Sequence, residues 1–381
     1  MNFELDEELG MVRQMARDFA EGELLPRATS HDRDEKIDPS VLTKIGELGL
    51  WGLTIPEAYG GAGLNNQALT AVLIEINRAC ASTGVTLSVH NSLIGAPINK
   101  WGTEDQRRRF LPKLASGEYI GSYCLTEANA GSDAAALATT AVPDGPDHFR
   151  INGTKLWVTN GGWAGLFLVY CRTNPGVSKA KGISAFLVER GTPGLRVGKH
   201  EIKTGIRGSS TTEIVFDGVR VPRANLLGEL DKGFNIAMDT LDGGRIGIAA
   251  QAVGIGKACL EASLRYARER EQFGKPIGEF QAIQWKIADM SERVDAAELL
   301  TYRAAWLRDL GRPCSREAAT AKLSASRAAN FAADECLQIH GGFGYTDHSH
   351  VERLFRDARI TEIYEGATDI QRLVIARRLL G

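Results

Sequence analysis

The stretch Phe149-Arg150-Ile151-Asn152-Gly153-Thr154-Lys155-Leu156-Trp157-Val158-Thr159 decides how the chain is read. Asn-Gly between alternating apolar residues is the strongest short-range turn signal. Phe149 and Ile151 flank it on one side, Leu156 and Val158 on the other, so the spacing predicts a hairpin turning at Asn152-Gly153. Further strands are expected at 166–170, 183–188 and 214–216, short apolar runs broken by Gly, Pro, Asn and Asp. Strands at this spacing suggest a small sandwich or barrel.

On both sides the texture is helical. Residues 4–24 carry Leu5, Leu9, Val12, Met15, Ala16 and Phe19 at the three-to-four spacing of an amphipathic helix. Asp38-Pro39 starts another, with Val41, Leu42, Ile45 and Leu48 behind it. Tyr59-Gly60-Gly61-Ala62-Gly63 reads as a loop, and helices are expected at 66–81 and 104–114. After Phe234, long helices are expected at 245–270, 281–310, 316–340 and 369–380, which suggests a bundle. The fold class is therefore α+β and mainly α. It divides into a helical domain (1–118), a β-domain (119–226) and a helical bundle (227–381). Strands and helices do not alternate, which disfavours a doubly wound sheet.

The chain has 381 residues, with 45 Lys and Arg against 47 Asp and Glu, a formal charge of −2. Nucleic-acid binding wants a basic surplus, so none is expected as a partner. Arg107-Arg108-Arg109 reads as a solvated helix face. The six cysteines are scattered, with no C-x-x-C pair, so neither a zinc site nor a disulfide framework is expected. Residues 1–17 are acidic and lack the apolar run of a secretory leader. The uncharged stretch 79–99 carries Ser82, Thr83, His90, Asn91 and Pro97, and reads as a buried helix rather than a membrane span. A soluble protein in a reducing compartment is expected. Glycine is modestly over-represented, at 42 residues.

No G-x-G-x-x-G, Walker A, G-x-S-x-G or H-E-x-x-H pattern occurs, which disfavours the standard dinucleotide and nucleotide enzymes. His348-Ser349-His350 reads as a surface loop or as a metal pair on a strand, and no metal is expected.

Four segments carry candidate chemistry. Tyr123-Cys124-Leu125-Thr126-Glu127-Ala128-Asn129-Ala130-Gly131-Ser132-Asp133 reads as a strand ending in a small loop. Such a loop is either a plain turn or a set of backbone N–H groups offered to an anion. In Trp157-Val158-Thr159-Asn160-Gly161-Gly162, Trp157 and Thr159 share one strand face. They suit a flat heteroaromatic ring, or are a core Trp beside a surface Thr. Arg268-Glu269-Arg270-Glu271-Gln272-Phe273-Gly274 with Gln281, and Gln338-Ile339-His340-Gly341-Gly342-Phe343-Gly344, are helix ends closed by glycine. Ordinary termination accounts for the glycines but not for the neighbouring Arg and Gln. Last comes Arg359-Ile360-Thr361-Glu362-Ile363-Tyr364-Glu365-Gly366-Ala367-Thr368-Asp369-Ile370-Gln371-Arg372. Glu365 is a surface turn residue, or a carboxylate whose pKa an apolar pocket raises until it can act as a general base.

In this order the four segments closely resemble the acyl-CoA dehydrogenase family of flavoproteins, over nearly the whole chain. The resemblance implies a helical domain, a central β-domain and a C-terminal four-helix bundle. It implies FAD as cofactor, held between subunits of a homotetramer, and electron-transfer flavoprotein as the acceptor. By motif, Tyr123, Leu125, Thr126, Gly131, Ser132, Trp157 and Thr159 would wall the flavin. Leu125 and Thr126 would meet its pyrimidine edge and Thr159 would approach N5. Arg270, Phe273, Gln281, Gln338, Gly341 and Gly342 would reach the FAD of a neighbouring subunit. Ala367, Thr368 and Asp369 would close on the cofactor. Ala367 stands where many relatives carry Thr, so its contact can only be through backbone. Ser132, Asp242, Gly243, Gly244, Arg245 and Gly366 would meet the acyl-CoA.

Glu365 matches the family's base. Some members place the base instead at the position held here by Gly244, which has no side chain to serve. Glu365 would take the α-proton while the β-hydrogen leaves as hydride to flavin N5, giving the trans-2-enoyl-CoA. In the family the Glu backbone N–H and a flavin ribityl hydroxyl hold the thioester carbonyl. The glycines at 131, 341, 342 and 366 would let backbone lie against cofactor and thioester. Gln251 and Thr361 match the positions that fill the acyl-pocket floor in short-chain members, though Gln251 can also be read as packing between helices. Gly205-Ile206-Arg207-Gly208-Ser209-Ser210 is also like the short-chain branch. The alternatives are a branched short-chain dehydrogenase acting on isobutyryl- or 2-methylbutyryl-CoA, more remotely an acyl-CoA oxidase or a non-catalytic acyl-CoA-binding protein. The resemblance implies fatty acid β-oxidation, in the bacterial cytoplasm or, for a mature eukaryotic chain, the mitochondrial matrix.

Overall fold

Asp6 opens the first helix by accepting a hydrogen bond from Leu9 N at 2.8 Å, as an N-cap satisfies an orphan helix donor. The computed structural model describes residues 6–381. Glu4 and Leu5 of the first expected helix, and the start of the acidic N-terminus, lie outside the described residues. The N-terminal helices are α1 (Glu7–Phe19), α2 (Ala28–Arg33), α3 (Pro39–Glu47), α4 (Asn66–Ala79), α5 (Ala81–Ser88), α6 (Ala96–Trp101) and α7 (Glu104–Ala115). Asp38 caps α3 through Ser40 N, and Thr103 with Gln106 forms a capping box on α7. The uncharged stretch is the buried helix α5 and the start of α6, joined by the buried π-helical segment Val89–Gly95.

The strands are β1 (Gly121–Cys124), β2 (Thr140–Pro143), β3 (His148–Thr159), β4 (Leu166–Arg172), β5 (Ile183–Glu189), β6 (Leu195–His200), β7 (Thr211–Pro222) and β8 (Leu226–Leu227). They form one mixed sheet in the order β6-β7-β3-β2-β4-β5-β8, with β1 parallel to β4. One parallel pair, Thr140 with Arg172, joins its two halves, so the halves fold over one another. Along β4 the side chains alternate. Phe167, Val169 and Cys171 pack with Phe149, Ile151, Phe216 and Val221 of the other half. Leu166, Leu168 and Tyr170 pack against Ile94, Phe110, Leu114 and Ile236 of the helices.

The hairpin expected at Asn152-Gly153 does not form. The chain runs straight through as β3, and the pairing with β7 slips by one between Ile151 and Gly153. Gly153 has φ +148°, and a Cβ there would lie 2.7 Å from the Thr139 Cα. Asn152 turns its side chain outward, where Oδ1 accepts from Gly218 N at 2.7 Å. Asn-Gly here makes a bulge in a long strand, not a turn. The strands β2, β6 and β8 were not expected from the sequence.

The C-terminal part consists of α8 (Gly233–Glu269), a small hairpin of β9 (Glu271–Gln272) and β10 (Lys275–Pro276), α9 (Gln281–Asp309), α10 (Ser315–His340), α11 (Val351–Ile360) and α12 (Thr368–Leu380). α8 starts twelve residues before the expected 245, with Gly243 and Gly244 inside it. α10 packs on α8, α9, α11 and α12, and α8 also packs on α4. The α4–α8 approach is close: a Cβ on Gly254 would lie 2.5 Å from Ile74 O. His348-Ser349-His350 lies in turns before α11, not on a strand. No helix among the described residues is long and apolar enough to cross a membrane.

α4 is pinned to α1 through Glu75, whose side chain is fully buried. Arg13 Nε donates to Oε1 at 2.7 Å, and Arg17 and Arg78 donate to Oε2 at 3.1 and 3.2 Å. Burial by itself would raise the Glu75 pKa. The Arg13 hydrogen bond and the charges of Arg17, Arg13 and Arg78 outweigh it and hold the group below its ordinary value. A lowered carboxylate pKa contributes stability that is present above the ordinary pKa and is lost as pH falls through the folded one. Glu75→Gln is expected to cost roughly 2 kcal/mol at neutral pH. In urea melts the gap to wild type should shrink below about pH 4. An equal or more stable variant at pH 7 would contradict the network's role.

Candidate active site

The α11–α12 connection carries the central group. Glu365 has φ +50° and Gly366 φ +94°, two successive left-handed residues. For a non-glycine this conformation costs about 1–2 kcal/mol and persists only where surroundings enforce it. Here they do. Lys322 Nζ, from α10, donates to Gly366 O at 2.6 Å, and Gln371 Nε2, from α12, donates to the same oxygen at 2.7 Å. The turn aims the Glu365 carboxylate at α8. Oε2 is buried and has no hydrogen-bond partner among the described residues. It lies where a side chain on Gly244 would begin, so a Cβ there and the carboxylate cannot share that point. Burial pushes the Glu365 pKa up, the charges of Lys322 and Arg245 pull it back, and the result is about 7.

α8 brings the other expected substrate residues to the same place. Asp242, Gly243, Gly244, Arg245 and Gln251 are all buried. Arg245 Nη1 donates to Asp242 Oδ1 at 2.6 Å, and Ser315 holds the other carboxylate oxygen. Arg245 Nε is buried without a partner among the described residues. Gln251 is fully buried, donating to Ala81 O at 3.2 Å and accepting from Tyr364 OH. Thr361 is buried too, but its hydroxyl is satisfied by Ala358 O at 2.6 Å and by Asn330 at 3.4 Å. The phenol of Tyr123 is buried near Glu365 and Arg245, with its ring 5.2 Å from that of Tyr170. Ala367, Thr368 and Asp369 follow Gly366 at the start of α12.

A second group gathers on the β-domain. Leu156 N donates to Thr126 O at 2.9 Å, and Ser122 Oγ donates to Thr159 O at 2.6 Å. These bonds set Leu125 and Thr126 beside Trp157 and Thr159. Trp157, with φ +57°, is 59% exposed although its neighbour Val158 is buried. Gly131 and Ser132 are exposed in the adjoining loop, with nothing within 4 Å of a Cβ on Gly131. A buried ion pair, Lys155 Nζ to Glu127 Oε1 at 2.6 Å, holds this loop, and Lys155 also donates to Leu125 O at 3.0 Å.

The third group is elsewhere. Arg270, Phe273, Gln281, Gln338, Gly341 and Gly342 are all exposed. Arg270 follows Arg245 by 25 residues, almost all within α8, so about 37 Å separates them at 1.5 Å per residue. A single chain thus presents these residues on a different surface from Glu365. Phe273 is 94% exposed at the tip of the β9–β10 hairpin.

Lys322, Gln371, Tyr364 and Lys155 were missed from the sequence as working parts of the site. Lys322 had a readable signal. It sits at helical spacing with Ala318, Ala325 and Ala329, so a charge interrupts the buried face of α10.

The chain matches known proteins along nearly its whole length. Family models for the N-terminal, middle and C-terminal domains of acyl-CoA dehydrogenases match residues 6–118, 122–219 and 231–380. The short-chain specific acyl-CoA dehydrogenase of Bos taurus mitochondria is 49% identical over 377 residues, 99% of this chain and 91% of the relative. The solved butyryl-CoA dehydrogenase of Megasphaera elsdenii is 41% identical with a TM-score of 0.98, over the full length of both chains. A chain from a structure of the electron transferring flavoprotein of Acidaminococcus fermentans is 44% identical with a TM-score of 0.98, again over both full lengths. With all three domain models matched in order along its length, the chain belongs to the acyl-CoA dehydrogenase family.

Proposed function

We propose that this oxidoreductase converts a short-chain acyl-CoA to its trans-2-enoyl-CoA, with Glu365 as the base. One observation carries the reading. A carboxylate with a pKa of about 7, whose buried oxygen has no hydrogen-bond partner among the described residues, sits against the bare backbone of Gly244. Such a group is divided between its ionised and protonated forms near neutral pH, and so is poised to accept a proton. Glu365 breaks the α C–H bond and keeps the proton on its carboxylate. The Glu365 backbone N–H, which donates to no backbone group among the described residues, is free to hold the thioester carbonyl where negative charge develops.

The family is FAD-dependent, and the residues present fit that cofactor. Trp157 offers an exposed aromatic face beside Thr159, and Gly131, Gly341 and Gly342 leave open space where backbone can approach. Bound FAD supplies the acceptor, at N5, for the β-hydride. Leu125, Thr126 and Ser132 hold it together with Tyr123, Ala367, Thr368 and Asp369. Arg270, Phe273, Gln281, Gln338, Gly341 and Gly342 hold the FAD of a neighbouring subunit, which requires a homotetramer or at least a dimer. Electron-transfer flavoprotein takes the electrons onward. The similarity to a chain in an electron transferring flavoprotein structure supports that partner.

Asp242 and Arg245 line the CoA channel, and Gln251 with Tyr364 closes the acyl pocket. Their hydrogen bond sets two polar groups at its end, where a longer alkyl tail would have to displace or desolvate them. That supports a short acyl chain.

Glu365→Gln is expected to retain yellow flavin binding and to lose dehydrogenation by at least about a hundredfold. In wild type, kcat/KM should fall as pH drops through about 7, because only the ionised carboxylate can take the proton. Near-normal turnover of butyryl-CoA by the variant would refute the assignment. Gln251→Gly is expected to raise the octanoyl-to-butyryl ratio of kcat/KM by roughly tenfold. An unchanged chain-length profile would remove Gln251 from the pocket end.

A further inference from the structure

Lys322 is one of the largest fully buried side chains in the protein, at 1% exposure. It is no part of the acyl, CoA or flavin groups described above. An ammonium is costly to bury, so its location calls for compensation. Its one hydrogen bond among the described residues is to the Gly366 carbonyl, at 2.6 Å. That oxygen already accepts from Gln371 at 2.7 Å. A neutral donor could therefore satisfy the carbonyl, and hydrogen bonding alone does not account for a cation. The charged groups that face Lys322 are Glu365, Arg245 and Glu362. Those that face Glu365 are Lys322 and Arg245, and the Tyr123 and Tyr364 phenols also border it.

We propose that Lys322 is the positioning residue of the base, pinning the left-handed Glu365–Gly366 turn from α10 while its positive charge favours the ionised carboxylate. This rests on the reading of Glu365 as the base. Burial lowers the Lys322 pKa, the Glu365 charge raises it, and the result is about 8. The ammonium is thus retained across the range in which Glu365 ionises at about 7. Arg245 is the other cation near Glu365, but its guanidinium is engaged with Asp242, which offsets its field at the carboxylate. Lys322 has no such direct carboxylate partner among the described residues.

The sign of the effect follows. Removing the cation leaves the buried carboxylate less compensated, so its pKa rises and the acid limb of kcat/KM moves to higher pH. The test uses flavin-loaded wild type, Lys322→Gln, Lys322→Arg and Glu365→Gln. One readout is the pH profile of kcat/KM with butyryl-CoA. The other needs no turnover: the infrared band of the protonated Glu365 carboxyl, identified by its absence in Glu365→Gln, followed against pH. Lys322→Gln is expected to move both midpoints up by roughly one unit, with turnover recovering towards wild type at high pH. Lys322→Arg, which keeps the charge, should leave both midpoints close to wild type.

A folded Lys322→Gln with wild-type midpoints would overturn the proposal. So would a Lys322→Arg displaced as far as Lys322→Gln. Variants that fail to load flavin would assign Lys322 to the fold rather than to the base, and would overturn it too. Near-normal turnover by Glu365→Gln would instead bring down the reading of the base itself, whatever the Lys322 variants do.

Discussion

The site depends on one contact: a carboxylate oxygen set dry against the bare backbone of a helix. Glu365 can lie there only because residue 244 has no side chain. Its chain can point there only because residues 365 and 366 both take left-handed conformations. Burial alone would neutralise such a group, and two cations hold its pKa at about 7 instead. Backbone strain, a missing Cβ and buried charge are separate costs, each placed where it controls the same oxygen atom.

α8 sets the frame around that contact. Its first half faces Glu365 and Tyr364, and its far end carries Arg270 beyond the reach of either. Close packing on α4 fixes its position, and the Glu75 network in turn ties α4 to α1. The β-domain supplies a separate wall. There the buried Lys155–Glu127 pair does for the loop at 125–132 what Lys322 and Gln371 do for the turn at 365–366. In both places a long side chain reaches from a regular element to hold an irregular one.

The order of helices, strands and helices was legible because hydrophobic period reports local structure directly. The cap at Asp38 was legible from its own side chain and the proline behind it. Asn152-Gly153 misled because the same dipeptide serves a turn and a bulge. What decides between them is the distance to Thr139, a tertiary quantity. The first turns of α8 were not legible either: glycine has low helix propensity, and the close approaches that require Gly244 and Gly254 are tertiary. Glu365 was visible only through the resemblance of its surrounding motif, since a Glu before Gly is equally a surface turn. Lys322 was overlooked although it interrupted an alanine face, because its partner, a main-chain carbonyl 44 residues away, carries no mark in the sequence.

The empty position at Gly244 has one more consequence. A Cβ there would project into the space that the Glu365 oxygen fills. Two lengths of chain, 121 residues apart, therefore compete for one point in space. That point belongs to the fold, and the sequence number of the group that occupies it is a secondary matter. Aligning such proteins column by column would score a Gly at 244 and a Glu at 365 as unrelated facts. Superposed in three dimensions they are a single site with two doors, one of which this chain keeps shut by leaving out a side chain.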